Sequence, residues 1–373
     1  MLQTTPFMKV LYLLDSLGRG GAEVLALDVC RNARANGLDL TFAAFGDGEL
    51  ETDFRRSGVD FVRLKRRLPV DLFLVNSLRK IIVRREIKII HANQAVEAIH
   101  AYPASFGTKA KIVLSHHGFV PDNKNLSALK FLIPRVAANV VVSRALLEWY
   151  ETEIGLKFYG NTQIIYNSVD EKRLEGNGER FSKEIGLPEN ALLLGMIGNF
   201  YRDPRKDQMT VCKSLPRVFA EINNAHCIFV GKTETGAEDK FQDCVDFCHE
   251  NNISERVHFL GARGDVPDIL HALDLFVLSS LHEGLPIAAI EAMLARAPLI
   301  LSDIEPLLEI SQNGKYAEIF PVQNAEMLSE KIIKLLKDKN ARQNLAKRAF
   351  DYATENFTIE AHIENLKKLY NSI

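Results

Sequence analysis

The chain reads as an α/β protein of two doubly wound domains, and three observations predict it. Short aliphatic or β-branched runs alternate with helical patterns along its whole length. Most of these runs are apolar at every position, as strands covered on both faces must be. The alternation is interrupted once, by the polar, Gly- and Pro-punctuated stretch EKRLEGNGERFSKEIGLPEN after Asp170. At 373 residues the chain is also too long for one ordinary core and comfortable for two.

In the first half the strand candidates are MKVLYLL, LTFAAF, VDFVRL, IKIIHA, KIVLSH, NVVVS and QIIYN. Helical patterns lie between them, such as AEVLALDVCRNARANG, which Gly37 is placed to end. The second half repeats the scheme with LLLGMIGNF, HCIFVG, VHFLG, LFVLSS, PLILSD and AEIFP. Strands separated by helices imply βαβ units and parallel sheets. The segment Asn167–Asp170 divides a first domain, residues 1–168, from a second, 169–356. Two further helices, about 340–355 and 358–372, carry no strand. In a doubly wound sheet ligands bind beyond the carboxyl ends of the strands, so motifs just after strands carry the function. Two such sheets can face each other across a cleft.

Composition narrows the classes. Hydrophobic residues are 47% and charged residues 25%, the balance of a soluble globular protein. A net charge of −2 carries no nucleic-acid signature. The charge is uneven: residues 1–165 hold 22 Lys and Arg against 16 Asp and Glu, so the first half is basic and the remainder acidic. The N-terminus MLQTTPFMKVLYLLDSLGRGG does not read as a signal peptide, because its apolar run is short and stops at Asp15. No stretch reaches the roughly 20 apolar residues of a membrane span. Five scattered cysteines suggest reduced thiols in a cytoplasmic protein. Cys244 and Cys248, beside His249, read as helix thiols in preference to a metal site, since no second ligand pair is in view.

Four motifs follow strands. In GRGGAE, Gly18 to Glu23, glycines let a ligand approach the backbone and the next helix offers free N–H groups. The dinucleotide fingerprint fails there, with Glu23 in place of its last glycine and no ribose-binding acid after LTFAAF. A tight turn without a ligand is the plain alternative. SHHGF puts His116 and His117 at a strand end, where they serve a cleft or a structural hydrogen bond. GNFYRDPRKDQ brings Arg202, Arg205 and Lys206 to a helix start. Cations oppose the helix dipole there, and a bound polyphosphate would remove that cost.

The fourth motif is HEGLPIAAIEAML. Pro286 suits a first helical position, and the helix after it is apolar nearly all round, hence buried. An acid on a buried helix needs a partner, and the hydroxyls of a ribose would serve Glu291. Glu283, at the helix mouth, could accept from a second sugar while the Leu285 amide meets a phosphate between the two. The alternative is a capping Glu283 and a Glu291 paired with Arg296 or a neighbour.

The pattern E-G-L-P-x4-E, set within SS…EGLP…EAM…P…SD, resembles the family 4 retaining glycosyltransferases of the GT-B fold. GGAE, SHHG, NSVD, RKD, FVG and FLG follow in that family's order, so the resemblance covers essentially the whole chain. It implies two Rossmann-like domains, with a last helix, about 357–373, crossing back to the first. It implies that Glu283 binds the donor sugar and Glu291 the nucleotide ribose. Arg205 or Arg202 and Lys206, with the amide near Gly284–Leu285, would hold the pyrophosphate. His117 would sit beside the transferred sugar, and Gly20-Gly21 under the phosphates. The base would lie near Gly231 and the turn Arg263–Val266. Two residues depart from the family: Asn199 stands where Arg is common, so either Arg202 or Arg205 replaces that charge or pyrophosphate binding is weaker, and Ser168 replaces a glycine.

The reading that follows is a retaining hexosyltransferase moving sugar from a nucleotide-diphosphate-sugar to a glycan or lipid-linked acceptor. Attack would come on the same face, with a leaving phosphate oxygen as base. No cofactor or metal is required, since a fixed clamp of Lys206, Arg205 and helix N–H groups would meet the leaving charge. Val62 to Lys88 has nine Lys and Arg against Asp71 and Glu86, with apolar residues on a helix. It is equally a solvated helix face or a peripheral contact with anionic lipid at the inner face of the membrane. The competing readings are a nucleotide-sugar 2-epimerase and a non-catalytic partner subunit of the same fold.

Overall fold

A computed structural model describes residues 8–118 and 123–373. The leading MLQTTPF and Phe119 of SHHGF lie outside the described residues. The chain forms two compact units: one runs to Val169 and takes in Ile359–Ile373, and the other is Asp170–Thr358.

The first unit is built on β1 (Met8–Leu14), β2 (Leu38–Ala44), β3 (Asp60–Arg63), β4 (Ile89–Ala92), β5 (Lys111–His116), β6 (Ala138–Val141) and β7 (Thr162–Ile164). They pair in parallel, in the order β3-β2-β1-β4-β5-β6-β7. Val10 of β1 lies between Leu40 of β2 and Ile89 of β4. Val10–Leu14 are all buried, because helices cover both faces of the central strands. The second unit has β8 (Leu192–Ile197), β9 (Ala225–Val230), β10 (Val257–Phe259), β11 (Leu275–Leu278), β12 (Leu299–Ser302) and β13 (Glu318–Phe320). Their order is β10-β9-β8-β11-β12-β13, again parallel. In both sheets the strand order reverses direction at the first strand. The crevices for ligands are therefore beyond the ends of β1 and β4 in one unit, and of β8 and β11 in the other.

Each expected strand run holds a strand. Helix boundaries differ in two places. The first helix is Gly21–Asn32, after which the chain loosens into a turn. Gly37 still closes that turn: at φ +80 it lets Leu38 N reach Ala33 O at 2.9 Å and its own N reach Arg34 O at 3.2 Å, the paired bonds of a Schellman end. Pro286 is the cap residue and not the first helical one, since the helix spans Ile287–Leu294.

Three helices end the chain: Ala325–Lys337, Lys339–Asn356 and Ile359–Ser372. The last belongs to the first unit. It buries Ile359, Ile363, Leu366, Leu369 and Tyr370, and the Tyr370 hydroxyl bonds His91 Nδ1 on β4. Among the described residues no helix is long and apolar enough to cross a membrane.

Candidate functional site

The second unit's crevice is assembled from the residues that follow β8 and β11. After β8 the chain passes through Gly198 and Asn199 to Lys206, then enters the helix Gln208–Glu221, whose cap Asp207 accepts from Thr210 N at 3.1 Å. After β11 it continues through Ser279 and Ser280 to Glu283. Backbone bonds lace the two loops together: Asp207 N donates to Ser279 O at 3.0 Å, and Leu281 N to Arg205 O at 2.9 Å. Ser302, ending β12, braces Ser280 from below, accepting from its amide at 3.0 Å and donating to its carbonyl at 2.8 Å.

This lacing brings Lys206 Nζ onto Glu283 Oε1, and Ser280 Oγ donates to the same oxygen at 2.7 Å. The two charged side chains are only 8% and 11% exposed. A cation and a carboxylate that lie 77 positions apart in sequence thus meet at the switch point of the sheet. Glu291 lies on the buried helix Ile287–Leu294, with its Oε1 2.6 Å from Arg173 Nη2. The partner weighed in the sequence, Arg296, lies instead over the Phe350 ring, 3.6 Å from its centroid. Gly284 and Leu285 are buried between the two glutamates.

The remaining candidates of this unit surround that pair. Gly231 directly follows β9 with φ +152, and a Cβ there would meet Gly198 O at 2.4 Å. Only glycine lets the β9 end approach the β8 end so closely. Asn199 Oδ1 accepts from Lys232 N at 3.0 Å, tying the same two strand ends together. Arg205 is engaged by Asp203, with Nε bonds of 2.8 and 3.0 Å, and stacks 4.5 Å over Tyr201. Arg202 is exposed. Lys206 is therefore the cation that the fold buries at the crevice. Arg263 pairs with Asp265 at 2.6 Å and Glu184 at 2.7 Å, and Val266 opens the helix Val266–Ala272 beside it.

The first unit holds His117, Gly20 and Gly21. Gly20 caps the helix Gly21–Asn32, and the Glu23 carboxylate folds back over it. His117 Nε2 shares Asn93 Oδ1 with the Tyr12 hydroxyl, both at 3.1 Å. Burial pushes the His117 imidazole down to about 4, helped by His362 and His116 nearby, so it stands neutral.

Several site residues escaped the sequence. Arg173 lies in a polar stretch with no motif around it. Lys240 donates to three consecutive carbonyls, of Tyr201, Arg202 and Asp203, at 3.1, 3.0 and 2.9 Å, and so pins the RDPRK loop. A lysine on an ordinary amphipathic helix gives no sign of that. Glu97 is wholly buried at the β4 end, and among the described residues neither of its oxygens has a hydrogen-bond partner. Cys244 and Cys248, weighed as a metal pair, are buried, as is Cys212 beside them.

Residues 177–352 match the sequence model of glycosyl transferases group 1, and residues 19–173 that of glycosyltransferase family 4. The chain belongs to these glycosyltransferases. It is 27% identical over 316 residues to the N-acetyl-alpha-D-glucosaminyl L-malate synthase of Bacillus anthracis, covering 82% of this chain and 80% of that one. Over 141 residues, 37% of this chain and 36% of the other, it is 36% identical to a Campylobacter jejuni enzyme. That enzyme is the N,N'-diacetylbacillosaminyl-diphospho-undecaprenol alpha-1,3-N-acetylgalactosaminyltransferase. Among solved structures, Anabaena Alr3699/HepE in complex with UDP and glucose superposes with a TM-score of 0.86 at 21% identity, over 98% of this chain and all of that one. Likeness at that identity shows the fold, and the fold of this glycosyltransferase is GT-B.

Proposed function

We propose that this glycosyltransferase moves a sugar from a nucleotide-diphosphate-sugar to a hydroxyl of a glycan or lipid-linked acceptor, with retention of anomeric configuration and without a metal ion. The observation that carries the reading is the Lys206–Glu283 pair at the β8/β11 switch point, with Glu291 on the helix that starts beside it. A diphosphate at this crevice would meet the Lys206 ammonium, and the sugar would take Glu283 as acceptor of its hydroxyls. Glu291 would accept from the ribose. Charge developing on the leaving diphosphate is then opposed by a fixed cation in a poorly hydrated place, where such stabilisation is strongest. Departure makes the sugar oxocarbenium-like, and same-face attack by the acceptor follows. The relatives whose printed names include a diphospho-undecaprenol acceptor support the lipid-linked class.

The acceptor reading extends to an anionic membrane. In the first unit Leu72 and Phe73 open the helix Leu72–Arg84 at 75% and 77% exposure, with Leu68 and Val70 also bare. Lys65 and Arg67 precede them in the chain and Lys80 and Arg84 follow on the same helix, all exposed. Exposed apolar side chains in a segment rich in exposed cations suit an anionic lipid surface. Arg66 is not part of this surface, because Asp15 holds it through two 3.0 Å bonds.

Calorimetric titration with UDP, GDP, ADP and dTDP, repeated on Glu291→Ala, tests the donor site: one nucleotide should bind and lose its affinity in the variant. The anomeric configuration of the product, read by NMR, tests retention, and turnover in excess EDTA tests metal independence. Sedimentation with anionic vesicles tests the membrane face, where Leu72→Ser/Phe73→Ser should release the protein.

A further inference from the structure

We infer that Arg173 is the positioning residue for Glu291, setting the carboxylate so that one oxygen is held by the protein and the other is left for the two ribose hydroxyls. The inference rests on the proposed ribose role of Glu291. Its observation is the 2.6 Å approach of Arg173 Nη2 to Glu291 Oε1, with the side chains 18% and 10% exposed. A carboxylate on an apolar helix is costly to bury unpaired, and a charge pair so shielded is not screened away as a surface pair would be. The approach engages Oε1, and a carboxylate has lone pairs on two oxygens. The contact is one charge-to-charge approach, so Arg173 orients the carboxylate by the fixed place at which its charge is held, and its permanently charged guanidinium cannot release that hold by losing a proton.

The chain around Arg173 is built to hold it still. The turn Glu171–Leu174 is capped by Asp170, whose Oδ1 accepts from Lys172 N at 3.1 Å, and Arg173 N donates to Asp170 O at 3.1 Å. On the other side Leu174 is buried and its carbonyl accepts from His271 Nε2 at 2.9 Å. The guanidinium thus extends from a short turn anchored at both ends, where an arginine serving only solubility would have no need of anchoring. The turn begins at the first residues of the second unit.

The test compares the tightest-binding of UDP, GDP and ADP with its 2′-deoxy counterpart by calorimetry, on the wild type, Arg173→Met, Arg173→Lys and Glu291→Gln. Thermal melts report folding of each variant. The wild type should prefer the ribonucleotide about 10-fold or more, the scale of a hydrogen bond to a charged acceptor. Arg173→Met should bind the ribonucleotide about 10-fold more weakly, with the preference collapsing toward 1, and Arg173→Lys should restore part of it. A purely stabilising arginine would lower the melting temperature and leave the ratio intact, which overturns the inference. Tighter ribonucleotide binding by Arg173→Met overturns it as well, since Arg173 would then be a competitor of ribose. If the preference is lost in Glu291→Gln but kept in both Arg173 variants, the inference alone fails. If neither the wild type nor Glu291→Gln discriminates, the ribose role of Glu291 fails, and the inference with it.

Discussion

Lys206 and Glu283 form one ion pair in which both side chains are about nine-tenths covered, and Ser280 adds a hydroxyl to the same carboxylate oxygen. Breaking such a pair from one side strands a charge, which costs about 3–5 kcal/mol, whereas replacing both partners costs far less. Lys206→Met and Glu283→Met should each lower unfolding free energy in urea by that order, and the double variant by clearly less than the sum. Additive losses would show that the pair is not coupled. Lys206→Met should also cut kcat by about 10²–10³-fold, the effect of removing one preorganised charge from a transition state.

Gly231 tests whether the two strand ends must touch. A Cβ there meets a backbone carbonyl, Gly198 O, at 2.4 Å, and no side-chain rotation relieves it. Gly231→Ala should destabilise the second unit by about 1–3 kcal/mol through strain at a special backbone position. It should also displace Asn199, whose side chain is bonded to the neighbouring Lys232 amide. Nucleotide affinity should fall with it, measured by the same titration as above. Unchanged affinity in a folded Gly231→Ala protein would remove Gly231 from the site.

The strands, their parallel pairing and the positions of Lys206, Glu283 and Glu291 were legible because each has a local cause. Strands buried on both faces must be apolar throughout, as Val10–Leu14 are, and site residues in such sheets must follow strand ends. What was not legible depends on distant pairing. Nothing near Arg173 says that it meets a residue 118 positions later, and nothing near Asp15 says that it claims Arg66 away from the basic surface. The pairing of Arg205 with Asp203, two positions away, is the same limit in miniature, since Asp203 can be read from sequence either as a partner or as a turn residue. Helix ends shifted where the cap is set by ψ, as at Pro286 with ψ 119, which periodicity does not encode.

The last helix is held by polar contacts set inside apolar packing, among them Tyr370 to His91 and His362 Nδ1 to Tyr166 O at 2.8 Å. Tyr370 Oη bonds His91 Nδ1, and His91 Nε2 is 2.7 Å from Ser115 Oγ. Burial holds the imidazole well below its usual range and the phenol well above. Tyr370→Phe keeps the packing but leaves a wholly buried ring nitrogen without its partner. It should cost about 1–3 kcal/mol in urea unfolding. His91→Phe/Tyr370→Phe removes both polar groups and should recover part of that loss.

The first unit should be most stable near neutral pH, because its buried acid and its buried histidines act in opposite directions. His116, His117 and His362 are each pushed down to about 4 by burial. Unfolding returns them to about 6.5, so the unfolded chain binds more protons between those values, and stability is lost as pH falls from 6.5 toward 4. Glu97 behaves in the reverse sense: burial raises it to about 8 from 4.5, so the folded chain keeps a proton that the unfolded chain releases. Stability is then lost as pH rises from 4.5 toward 8. The one tryptophan, Trp149, lies on the helix Arg144–Thr152 of this unit, so its fluorescence isolates the unit's melting from the rest. Melting temperature by Trp149 fluorescence should peak between about pH 6 and 7 and fall on both sides. Glu97→Gln, which cannot ionise, should lift the alkaline limb by an amount that grows from pH 5 to pH 8 and leave the acid limb in place. An equal shift at every pH would mean that Glu97 is ionised in the folded protein and has a partner.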